Sequence, residues 1–70
     1  MMPLTFAEIG ETNVVKRVSG KPEVKKHLED MGFVAGSVVE LVSKIDDNVI
    51  VKVKDTRIAI SSEMATKIFI

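Results

Sequence analysis

Through Asn48-Val49-Ile50-Val51-Lys52-Val53-Lys54, a period of two sets Val49, Val51 and Val53 on one face and Lys52 and Lys54 on the other. A period of two is that of a half-buried strand. Ser37 to Lys44 predicts a strand before it, with Val39 and Leu41 on one face and Val38, Glu40 and Val42 on the other. Asp46-Asp47-Asn48 joins the two with residues that suit a tight hairpin. Asp55-Thr56 predicts the next turn, and Arg57 to Ile60 returns as a strand with Ile58 and Ile60 inward.

Earlier in the chain the period changes. At about 100° per residue, Val24, Leu28 and Met31 form one stripe, so Lys21 to Met31 is the predicted helix. Pro22 suits its first turn, where a missing N–H costs nothing. Gly32 stands where a left-handed cap is wanted, Phe33 supplies the apolar contact that accompanies such a cap, and Gly36 permits a second turn. Thr12 to Val18 is the predicted first strand, with Val14, Val15 and Val18 as its apolar members. Pro3 to Gly10 forms the leading segment: Thr5 and Glu8 have capping-box spacing, and Leu4, Phe6 and Ile9 are expected to tuck beneath the sheet. Near the end, Ser61 to Ala65 reads as one serine-capped helical turn, and Lys67 to Ile70 as a last strand.

This order predicts a mainly β fold in a single domain spanning residues 1–70. It is a small, partly open SH3-like barrel of five strands, with one helix inserted after the first strand and a short helical turn before the last. With 46% hydrophobic residues and no cysteine, stability must come from an apolar core without disulfides or thiolate metal sites. Ten basic residues balance ten acidic ones, which argues against a nucleic-acid binder, whose affinity rests on phosphate neutralisation. The start lacks a signal-peptide pattern and no apolar run is long enough to span a bilayer, so the expected setting is cytoplasmic, without membrane insertion.

Few residues suggest chemistry. Glu23, His27 and Asp30 stand at i, i+4 and i+7 of the helix and could offer a carboxylate–imidazole–carboxylate line to a divalent metal, although Lys21 and Lys26 oppose a cation there. A solvated helix flank is the simpler expectation, with no cofactor beyond weak metal binding. Asp46 and Asp47 read as turn residues, and Ser61 and Ser62 have no base placed to activate them. Gly32 and Gly36 follow a helix, the wrong polarity for a phosphate loop. With three Phe and no Trp or Tyr, a groove for proline-rich peptides is not expected either. No enzymatic activity is expected.

Leu28-x-x-Met31-Gly32-Phe33-x-x-Gly36, followed by Val38-Val39-Glu40-Leu41-Val42, resembles the FeoA family. Val49-x-Val51-x-Val53, Arg57-Ile58-Ala59-Ile60 and Glu63-Met64-Ala65 extend the resemblance over most of the chain. It implies a non-catalytic cytoplasmic accessory of ferrous-iron uptake that acts on FeoB, the membrane GTPase-permease. A similar barrel forms the C-terminal domain of iron-dependent repressors, which implies a metal-responsive regulatory module as the alternative. For partner contact the candidates are Met31, Phe33 and Val34 at the helix end, with Val34 the best placed for the surface, and the terminal Ile68, Phe69 and Ile70. A last strand at an open edge would also allow a homo-oligomer.

Overall fold

The computed structural model describes all residues from Met1 to Ile70. A single 3-10 turn, Leu4–Phe6, leads into β1 (Thr12–Val14) and β2 (Arg17–Val18), then α1 (Pro22–Asp30). There follow β3 (Val38–Ile45), β4 (Asn48–Val53), β5 (Thr56–Ser61), the one-turn helix α2 (Ser62–Ala65) and β6 (Ile68–Phe69). The strands form a four-stranded antiparallel sheet, β1-β3-β4-β5, and a two-stranded sheet, β2-β6. The mainly β, SH3-like fold is therefore as expected, with the two sheets left unjoined by continuous pairing.

The expected first strand is two strands in different sheets. Val14 pairs with Val38 of β3, whereas Arg17 and Val18 pair with Phe69 and Ile68 of β6. Between them the Val15 amide donates to the Ser37 carbonyl at 2.8 Å and the Lys16 amide to the Phe69 carbonyl at 2.7 Å, so the chain changes sheets there. This corner explains the irregular valine spacing: Val15 and Val18 are buried, and Val14 faces solvent.

Helix α1 buries Leu28 completely, with Val24 and Met31 packed against the core beside it. It ends in a Schellman motif. The Gly32 amide donates to the Glu29 carbonyl at 2.9 Å, and the Phe33 amide reaches back to the Leu28 carbonyl at 3.0 Å. Gly32 sits at φ +103°, backbone that a side chain resists. Phe33 is thereby folded under the helix, fully buried.

In β4 the alternation holds as read: Val49, Val51 and Val53 are buried and Lys52 is exposed. The following hairpin is centred one residue earlier than expected, on Lys54 and Asp55, since Val53 pairs with Thr56. Both central residues have positive φ, +50° and +63°, the sense of turn that matches strand twist. Lysine pays for that backbone where asparagine would pay less. Lys54→Asn should therefore stabilise by about 0.5–1 kcal/mol, raising Tm by about 2–6 °C in calorimetry.

At the far end, α2 is capped as expected: the Ser61 hydroxyl accepts from the Met64 amide at 3.1 Å. The leading segment differs from expectation. Its 3-10 turn is preceded by Pro3 and has no side-chain cap, so Thr5 does not play that part. With about three residues per turn, positions three apart share a face. Leu4 and Ala7 therefore point inward and are buried, while Phe6 and Ile9 are left 70% and 60% exposed. Fifteen apolar side chains drawn from the helices, strands and turns make one core, and no polar or charged residue is buried.

Candidate docking surface

Several residues expected at a partner surface lie in the core. Phe33 and Ile68 are fully buried and Ile70 is 6% exposed, so these three cannot meet a partner in the folded protein. The cause is pairing. β6 is hydrogen-bonded to β2 on one side and to the leading segment on the other, where Met2 and Ile70 exchange amide–carbonyl bonds at 3.0 and 2.8 Å. The last strand is thus no open edge, and the four-stranded sheet ends instead at β1 and β5. Phe69 is half-buried, with the Arg17 guanidinium 5.2 Å from its ring centre. Met31 leans on the core. Of the six candidates, Val34 is the one left half-exposed without an assigned packing role.

Glu23, His27 and Asp30 are all exposed on α1. No group of three or more acidic or histidine side chains lies close enough to hold a metal ion, so the structure does not bring this line together. Asp30 is drawn instead to Lys26, at 4.0 Å on the preceding turn. A pair this exposed contributes little to stability.

The surface that sequence reasoning missed is the outer face of the large sheet. Val14 and Val38 stand directly opposite each other across β1 and β3, both turned to solvent, 49% and 59% exposed. Next along the same face runs a row across four strands: Thr12, Glu40, Lys52 and Arg57 are successive cross-strand partners. Lys52 and Arg57 are like charges in direct opposition, an arrangement that costs stability unless an anion intervenes. A groove of about 390 Å³ opens here, lined by Val38, Glu40, Lys52 and Lys54 among others. On the far side of Val38 a second hollow, about 440 Å³, takes in Val14 and Lys16. The alternation in β3 was the available signal, since it sets Val38 and Glu40 on the face opposite Val39 and Leu41, without saying which face is buried.

A profile of the FeoA domain matches residues 2–70, nearly every residue of the fold just described. The chain belongs to the FeoA family. It is 33% identical over 70 residues to an Fe(2+) transport protein A of Methanocaldococcus jannaschii, covering 100% of this chain and 85% of that one. Among solved structures, the zinc-complexed FeoA of Stenotrophomonas maltophilia, described as an SH3 domain protein, superposes with a TM-score of 0.86. That pair is 25% identical, and the match covers 99% of this chain and 88% of the other. A manganese-dependent transcriptional repressor shares the fold at a TM-score of 0.85 and 19% identity, over 94% of this chain and 38% of its own length. In this FeoA domain no helix is long and apolar enough to cross a membrane.

Proposed function

We propose that this chain is a cytoplasmic accessory protein of ferrous-iron uptake, which docks on the FeoB-type GTPase-permease and catalyses no reaction itself. The observation that carries the reading is the FeoA match across residues 2–70, supported by similarity over 70 residues to an Fe(2+) transport protein. The architecture is consistent with it. Its interior is filled by apolar side chains, and its two hollows are open grooves on the surface, suited to contact with another protein.

The test has two arms. Titrating the chain into the cytoplasmic GTPase domain and into the whole permease should give saturable binding to at least one. Deleting the gene should lower uptake of labelled ferrous iron. Absence of binding together with undiminished uptake overturns the reading.

A regulatory role is the second reading, favoured by the fold shared with the manganese-dependent repressor. It expects deletion to change transcript levels while the uptake rate per permease molecule stays constant.

A further inference from the structure

The outer face of the β1-β3-β4-β5 sheet combines two features that the core does not require. Its centre is an exposed aliphatic pair, Val14 and Val38. Around that centre stand four cations, Lys16, Lys52, Lys54 and Arg57, all exposed. The one ion pair of the molecule, Lys26 with Asp30, lies on α1, so none of the four is held by a carboxylate. Glu40 is directly across from Lys52 but forms no ion pair with it, and Asp55 is the other acid lining the groove. In a chain whose charges sum to zero, the two hollows are lined by three cations, Lys16, Lys52 and Lys54, against two carboxylates, Glu40 and Asp55, and Arg57 adds a fourth cation directly across from Lys52.

We propose that this groove binds an acidic peptide segment of a partner protein, seating an aliphatic side chain on Val14 and Val38 and placing flanking carboxylates against Lys52, Lys54 and Lys16. The inference rests on the docking role and names the surface and the chemistry that role would use. Charge complementarity selects the occupant. A carboxylate between Lys52 and Arg57 relieves the like-charge opposition, and lysine beside an exposed valine suits a side chain that is partly aliphatic and partly anionic. Nucleic acid fits less well, because single strands bind largely by stacking on aromatic rings. Phe33 is buried, Phe69 packs under Arg17 in the other sheet, and Phe6 belongs to the leading segment.

The probe is a capped seven-residue peptide alternating aspartate with leucine, titrated into the 15N-labelled full chain. Amide shifts should saturate and centre on Val14, Val38, Lys52 and Lys54, with affinity falling about tenfold between low and high salt. The same peptide with lysine in place of aspartate should leave the spectrum unchanged. Val38→Asp and the double variant Lys52→Glu with Lys54→Glu should each weaken binding by about tenfold or more. Both substitute exposed positions, and a circular dichroism melt checks that each still folds. The inference is overturned by the absence of saturable shifts, by shifts centred on α1 or on Phe6 to Ile9, by equal binding of the lysine peptide, or by tighter binding of polyuridylate to the same residues. If the peptide fails while the chain still binds the permease, this groove is excluded and the docking role stands. If the peptide binds and the permease does not, the groove stands and the docking role falls.

Discussion

Phe33→Ala unfolds most of the protein at 25 °C. The ring is fully buried at the junction of helix and sheet, and removing a phenylalanine side chain from such a site costs about 3–5 kcal/mol. A core in a chain of this size rarely supplies more than about 3–5 kcal/mol of net stability. The two quantities are equal in scale, so the variant has little left. Far-UV circular dichroism in urea should show no native baseline, or a midpoint close to zero denaturant. Phe6→Ser, made at a side chain that is 70% exposed, should change the unfolding free energy by less than about 0.5 kcal/mol. Equal midpoints for Phe33→Ala and the parent would contradict the burial assigned to this ring.

The second large effect is expected at Gly32. Its φ of +103° closes the Schellman motif and turns the chain so that Phe33 can enter the core. A Cβ built there would lie 3.4 Å from Val53 Cγ2, an ordinary contact, so space is available for one methyl group. What an alanine cannot accept is the backbone. Holding a non-glycine residue in this region costs about 1–3 kcal/mol, which corresponds to a fall in Tm of roughly 5–20 °C for a domain this small. Gly32→Val should cost more, because its branched methyls add bulk toward Val53 and Lys54. Thermal melts of the two variants decide the point: alanine melting with the parent would mean that the left-handed turn does not stabilise the fold. The Gly32 and Phe33 effects should not add fully, since both act on one junction.

The cap at Gly32 and the packing of Phe33 against it were legible in the chain because they are local, although Phe33 was also a candidate for partner contact, which its full burial excludes. A glycine ending an amphipathic helix, followed by an aromatic, specifies its own geometry within a few residues. The same holds for Ser61, whose hydroxyl caps the turn immediately after it, and for Val49, Val51 and Val53, whose spacing matches the pleat. Where the reading failed, the deciding contact was distant. Val14 and Val15 are adjacent valines, and nothing near them says that the chain leaves β3 for β6 between Val15 and Arg17. Phe6 and Ile9 are as apolar as Leu4, yet the 3-10 turn leaves only Leu4 and Ala7 facing the core. Ile68 and Ile70 read as an exposed end, but Ile68 pairs with Val18 of β2 and Ile70 with Met2 of the leading segment.

The chain alone determined the order of helix and strands, the capped junction at Gly32 and the family to which the molecule belongs. The order and the junction follow from hydrophobic period and turn chemistry, which the backbone enforces over a few residues, whereas the family rests on the likeness of the motifs to the FeoA domain. Only the tertiary structure decided which strand edges are covered, which valines remain outside, and that Lys52 and Arg57 oppose each other beside an exposed aliphatic pair. In a small barrel those outcomes depend on pairing between segments far apart in the chain, and a period of two reads the same whichever face is buried.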